Sequence, residues 1–298
     1  MHRRRIKPLL APFALALLAL LALLAAAALY LHRRPPDRDA LMAGRLLARV
    51  NTAGAAQVDC RTWRAQRPLV LLVLGQSNAG NHGLGDAQGA GQPLPAPVQV
   101  MEAGRCSLSH DPLPGATGAG ASPWSVLPAR LAAGGLRRPV LLQVLAVDAS
   151  AVDDWTRAGA PITRQLAQTL AANRAAGLPP DLVLWQQGES DARAGMHPTR
   201  YVRGLQALAD SLRAQGVQAP VLLARSTVCR SASADGLRRA IAALAGSDPR
   251  FRLGPDTDAI TQRHNGCHWS NSGRQQVAGL WATAIIQILP ASALTLPS

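Results

Sequence analysis

Lysine is nearly missing from this chain: all but one of its 31 basic residues are arginine, Lys7 being the exception. Phenylalanine and tyrosine number two each, which leaves few platforms on which bases can stack. The arginines are scattered, and no dense basic block lies beyond the N-terminus, so the formal charge of +14 reads as a solvated arginine-rich surface. No nucleic-acid partner is expected. There is no CxxC pair, the cysteine spacings match no zinc signature, and no internal repeat is visible. Cys60, Cys106, Cys229 and Cys267 form an even set. They suit two disulfides in an oxidising compartment, with three possible pairings, while free buried thiols remain the alternative.

Hydrophobic residues make up 48% of 298 residues, enough for one sizeable α/β domain with appendages. At the N-terminus, Arg3, Arg4, Arg5 and Lys7 precede an uncharged run of 23 residues, Leu9 to Leu31. At about 1.5 Å per residue a helix of that length spans a ~30 Å hydrocarbon core. The reading is a single-pass signal anchor with residues 1–8 in the cytoplasm and the main domain outside it, periplasmic or at the cell surface. A cleaved signal peptide, cut at the alanines 25–28, is the alternative. Residues 32–66 read as a juxtamembrane connector, 67–290 as the folded domain and 291–298 as a tail. Pro35 and Pro36 stop any helix leaving the membrane.

From Pro68 onwards, apolar runs of strand length alternate with helical patterns. PLVLLVL (68–74), PVLLQVLAV (139–147), DLVLWQQ (181–187) and PVLLAR (220–225) are nearly continuous, as strands buried on both faces must be. VQVME (98–102) is a further strand candidate. Helical patterns cover 162–177, 198–216, 235–246 and 272–289. This alternation predicts a mostly parallel sheet covered by helices on both faces. Ligands in such sheets bind at the carboxyl ends of strands, so the polar Gly- and Pro-rich stretches 75–97 and 103–123 are expected to build a site.

Three polar motifs stand at strand ends: Gly75-Gln76-Ser77-Asn78, Gln187-Gly188-Glu189-Ser190-Asp191, and Asn265-Gly266-Cys267-His268 before the last helix. Together they bring a hydroxyl, an imidazole and a donor-rich loop to one sheet edge, as hydrolysis by a serine nucleophile requires. GQSNAGNHG, WQQGESDA and NGCHWSNSG, with ASPWSVLPARL and the GPDTD segment 254–258, resemble the motifs of the SGNH-hydrolase superfamily. The likeness is to its sialate O-acetylesterase or carbohydrate-esterase (acetylxylan-esterase-like) branch and covers roughly residues 68 to 285. It implies a flavodoxin-like three-layer α/β/α sandwich and removal of O-acetyl groups from carbohydrate. No metal and no organic cofactor is implied.

On that resemblance Ser77 is the nucleophile and His268 the general base. Oxyanion donors are expected from the Ser77 N–H, from Ala149 where the family has a glycine, and from the Gln187 amide, since an ionised glutamate only accepts. The family's glycine pair reads Asp148-Ala149 here. Gln76, Asn78, Gly188, Glu189 and Asp191 support the loops, Glu189 by accepting hydrogen bonds and Asp191 as a turn or helix cap. His82 and His110 read as structural. The family's Asp-x-x-His is Asn265-x-x-His268 here, so the orienting residue carries no charge, and its amide can accept from the ring or donate to it. Asp256 or Asp258 is the alternative partner. A Cys229–Cys267 bridge is expected near the same edge, and Cys267 is a poor candidate for a thiol nucleophile beside His268. Two other readings stay open: a weakened or inactive carbohydrate-binding module on the same fold, and a partner in envelope polysaccharide assembly.

Overall fold

The apolar runs form the middle of one eight-stranded sheet in the computed structural model, which describes residues 20–24, 37–52, 55–85, 96–230 and 234–294. The strands are β1 (Ala56–Val58), β2 (Leu69–Gly75), β3 (Val98–Glu102), β4 (Arg105–Ser109), β5 (Val140–Ala146), β6 (Leu182–Gln186), β7 (Val221–Arg225) and β8 (Phe251–Asp256). Their order is β1-β4-β3-β5-β2-β6-β7-β8. From β3 to β8 all neighbours run parallel, while β4 and β1 add an antiparallel edge. The run β5-β2-β6-β7-β8 has the flavodoxin-like order, in which the chain leaves β2 first to one side and later to the other. Its switch point lies at the carboxyl end of β2, where Ser77 follows.

The helices are α1 (Arg38–Leu47), α2 (Cys60–Ala65), α3 (Leu127–Ala133), α4 (Val152–Thr156), α5 (Pro161–Ala175), α6 (Glu189–Arg193), α7 (Pro198–Ala214), α8 (Asp235–Ser247) and α9 (Asn271–Ile288). Period-two alternation sends Leu69, Leu71 and Val73 of β2 into one core with Leu127, Leu131, Trp281 and Ile285 of α3 and α9. Val70 faces the other way and packs with Leu141, Met101 and Trp63. Both faces of β2 are therefore dry, which is why its sequence lacks polar alternation.

The four helical patterns read from the sequence match α5, α7, α8 and α9 within two residues at either end. Three strands were not among the sequence-based expectations. β4 lies in the stretch read as loop, β8 is short and polar at its end, and β1 sits in the stretch read as connector. β1 pairs with β4, and Cys60 just after it is bridged to Cys106 of β4. Residues 56–58 of the expected connector are thus part of the sheet, and Cys60–Ala65 of it are helical. By its internal contacts the chain divides into Met1–Leu41 and Met42–Ser298. In the first unit residues 20–24 are helical. The rest of the expected membrane segment lies outside the described residues, among which no helix is long and apolar enough to cross a membrane.

Candidate active site

β2 ends at Gly75, where a side chain could not fit: a Cβ there would stand 2.1 Å from the Gln186 carbonyl oxygen of the neighbouring strand. The chain then turns through a single 3-10 turn, Ser77–Ala79. Indole N–H groups hold two of its carbonyls, Trp124 donating to Ala79 O at 2.8 Å and Trp269 to Asn78 O at 3.4 Å. Trp124 belongs to the ASPWS motif and Trp269 follows His268, so both motifs brace the serine turn. The Gln76 side-chain oxygen accepts from Ser190 N at 3.1 Å and Gln187 Nε2 at 3.2 Å. The Ser77 N–H donates to no group among the described residues, which leaves it available to a ligand at the cleft.

A cavity of about 150 Å³ opens at this edge, lined by Gln76, Ser77, Glu189 and Ser190, by Asp148 and Ala149, and by the loops that carry Arg230 and His268. The structure thus brings Ser77, Ala149 and the Asn265–His268 loop together from three separate parts of the chain. Ser77 Oγ and His268 share the cleft without a direct hydrogen bond among the described residues; such bonds are often long before substrate arrives.

Ala149 adopts a φ of 53°, in the left-handed region where glycine is at ease. Its loop is tied by the Asp148 N–H to Thr117 Oγ1 at 2.9 Å, by an Asp148–Arg45 ion pair, and by Trp155 Nε1 to Ser150 Oγ at 3.0 Å. Arg45, in α1, was not read from the sequence as part of the site.

Gln187 corrects an expectation. It is fully buried, and its amide nitrogen faces three acceptors inside the protein: Gln76 Oε1, Ser150 O at 3.1 Å and Asp191 Oδ2. Two amide hydrogens cannot serve these and also an oxyanion, so Gln187 is a structural tie here. Asp191 takes the Val152 N–H at 3.1 Å, capping the start of α4 from another element, and burial pushes its carboxyl up to about 6. Glu189 accepts from Asn78 Nδ2 at 2.7 Å and Ser226 Oγ at 2.8 Å, while its Oε2 is buried without a partner. Burial pushes Glu189 up to about 7 against the pull of these two donors. Gly188 holds a φ of 148° beside the Ser226 carbonyl, so the QGE segment presses closely on β7's loop.

The histidine loop shows the departure that matters most. Asn265 Oδ1 accepts the backbone N–H groups of Cys267 at 3.1 Å and His268 at 2.8 Å. Flipping the amide would break both bonds, so its orientation is fixed by the turn. Its Nδ2 therefore points at His268 Nδ1, 3.0 Å away, and donates to it. An Nδ1 that accepts leaves the ring proton on Nε2, the opposite of what a base taking a proton through Nε2 requires. Burial, with His82, His264, Arg263 and Arg230 nearby, lowers His268 to about 4. Neither alternative partner reaches the ring: Asp256 is paired with Arg238, and Asp258 accepts from Thr227 N, Val228 N and Arg238.

His82, read as structural, stacks on His268 with ring centroids 5.1 Å apart and lines the cleft. Burial and the Arg45 charge lower its pKa. Its signal was available in sequence, five residues past Ser77 in the same motif. Arg193 and Arg230 also line the cleft and were missed. Arg193 ends the QGESDAR segment, and Arg230 follows Cys229. Cys229 is bridged to Cys267, with Cα atoms 4.1 Å apart, which fixes the Arg230 loop against the histidine loop. His110 is not among the cleft residues. Among the described residues no cluster of His, Cys, Asp or Glu has the makings of a metal site.

A sheet of this order, with a serine turn after its first parallel strand and a histidine before its last helix, is that of the SGNH hydrolases. The chain belongs to the carbohydrate esterase, sialic acid-specific acetylesterase family, whose model matches residues 68–287. Its class is therefore that of the ester hydrolases. A protein from Arabidopsis thaliana shares the fold, with a TM-score of 0.61 at 20% identity over 75% of this chain and 100% of that one. Also similar are a carbohydrate acetylesterase from Sinorhizobium meliloti (TM-score 0.46, 14% identity, 74% and 99% covered) and a carbohydrate esterase family 3 protein from Talaromyces cellulolyticus (TM-score 0.46, 13% identity, 74% and 97% covered). No curated protein matches the chain significantly.

Proposed function

We propose that the protein is a serine esterase that removes O-acetyl groups from carbohydrate outside the cytoplasm, through an acetyl-enzyme on Ser77. The observation that carries this reading is the cleft itself, which combines Ser77, its undonated N–H and His268 at the switch point of the sheet. Ser77 Oγ attacks the ester carbonyl, His268 accepts its proton at Nε2 when the ring hydrogen sits on Nδ1 and returns it to the leaving sugar oxygen, and water then releases acetate. The Asn265 amide disfavours that tautomer and so slows the step. The Ser77 N–H meets the developing oxyanion, a contact whose removal costs about 2.7–4 kcal/mol in well-studied cases. Arg193 and Arg230 line the same cleft, and their charge suits a substrate bearing a carboxylate, such as a sialate.

The anchor belongs to the same proposal. The uncharged run Leu9–Leu31 behind Arg3, Arg4, Arg5 and Lys7 supports a single membrane pass, and two disulfides suit an oxidising compartment. Acetate release from a panel of O-acetylated glycans and small acetyl esters, with Ser77→Ala as control, tests the chemistry. Turnover that vanishes in Ser77→Ala supports it; no turnover of any ester by the folded protein sinks it. Fractionation of cells tests the anchor.

A second reading, a slow or non-hydrolytic glycan-binding module, rests on Asn265, whose amide holds His268 in the unproductive tautomer. Glycan affinity in both wild type and Asn265→Asp, with hydrolysis in neither, favours it.

A further inference from the structure

Asn265 is followed by Gly266, and this is the chain's only Asn-Gly pair; its other five asparagines precede Thr, Ala, His, Arg and Ser. Loss of the side-chain amide by attack of the next backbone nitrogen is fastest where that next residue has no side chain to screen it. Asparagine is thermolabile for this reason. Four features of the turn favour the attack. Both residues are exposed, so water reaches them. The Gly266 N–H donates to no group among the described residues, which leaves its nitrogen uncommitted. Apart from its two chain neighbours, no residue comes closer than 3.5 Å to the position a Gly266 Cβ would occupy, and its φ is 73°. The Asn265 Oδ1 accepts two backbone N–H groups, which draws electron density from Cγ and makes that carbon the better electrophile.

We propose that Asn265 is a self-modification site, and that its conversion to aspartate switches the cleft from a slow to a competent hydrolase. The idea rests on the esterase reading above. Gly266 N bonds to Asn265 Cγ, the Cγ–Nδ2 bond breaks, and ammonia leaves with the proton from Gly266. Solvent water then adds to Cγ and opens the ring, leaving a carboxyl at 265 and returning a proton to Gly266 N. No electron is gained or lost. The new Oδ1 keeps the Cys267 and His268 N–H groups, and the oxygen that replaces Nδ2 now accepts from His268 Nδ1 instead of donating to it. The ring proton moves to Nδ1, and Nε2 becomes the base. Opening at the backbone carbonyl would lengthen the main chain instead. That outcome is opposed by the Cys229–Cys267 bridge and by the Arg230 N–H bound to Gly266 O at 2.6 Å on the other side of the turn.

The test follows the purified full chain over time at mildly alkaline pH, reading the mass of the peptide around 265 and acetate release from a small acetyl ester in the same samples. The expected result is conversion at 265 while the other asparagines persist, with a rate that climbs in proportion toward that of Asn265→Asp. The gain at full conversion is up to about 10⁴-fold by analogy with serine proteases. Asn265→Gln, whose longer side chain closes the ring poorly, stays flat over the same interval. No conversion at 265 in the folded protein, or conversion mainly to the iso linkage with no gain in rate, overturns the proposal. So does an Asn265→Asp variant no faster than fresh wild type. If instead Ser77→Ala retains the full rate of Asn265→Asp, the esterase reading itself fails, which the mass measurement separates from failure of the conversion.

Discussion

Replacing Glu189 by glutamine removes one buried titration and little else, which makes its effect calculable. The glutamine oxygen can accept from Asn78 and Ser226 as Glu189 Oε1 does, and its amide takes the place of the oxygen that has no partner. Burial raises the Glu189 carboxyl from 4.5 to about 7, so the folded chain binds this proton more tightly than the unfolded chain does. Its contribution is present in full below pH 4.5 and is lost as pH rises to about 7. At 1.36 kcal/mol per unit, that displacement is worth about 3 kcal/mol. Asp191, also raised, acts in the same direction over a lower window, and His268, lowered, acts in the opposite one. Both are present in wild type and variant and cancel in the difference. Urea unfolding of the two proteins from pH 4 to 8 is the assay. The stability of Glu189→Gln relative to wild type should climb by about 3 kcal/mol across the series. A difference that stays constant with pH, or that shrinks as pH rises, refutes the assignment of a buried, proton-binding Glu189.

Asn265→Asp should raise kcat and move the acid limb of kcat/KM upward from near pH 4, because a carboxylate beside Nδ1 favours imidazolium; an unmoved limb means the ring does not act as base. Ala149→Gly should change stability by less than about 1 kcal/mol, relief of the left-handed strain offsetting unfolded-state entropy, whereas Ala149→Val should cost about 2 kcal/mol or more by thermal melts. Gly75→Ala should prevent stable folding, since its Cβ would meet the Gln186 carbonyl at 2.1 Å; a well-folded variant by circular dichroism would contradict that contact. Replacing both Cys60 and Cys106 should lower stability by about 2–4 kcal/mol, because the bridge closes a loop of 46 residues and pins β1 to the sheet.

The parallel core was legible because β2, β5, β6 and β7 are buried on both faces, and dry strands leave an unbroken apolar record. β1, β4 and β8 left none. An edge strand needs only one apolar face, and β1 buries little of its three residues, so its place comes from pairing with β4 and from a disulfide. The site divides the same way. Ser77, His268 and Asn265 stood out by residue type at strand ends, and the sequence alone determined that a serine, a histidine and an uncharged partner three residues before it are present. It could not decide which atom of Asn265 meets the ring. That depends on two backbone N–H groups in a turn, which take the oxygen and leave only the amide nitrogen for His268. Nor could it separate Gln187, whose donors are used up inside, from a residue facing substrate, or bring Arg45 of α1 to Asp148. Residue type fixes which bonds a group can make; only packing decides which partners remain to receive them.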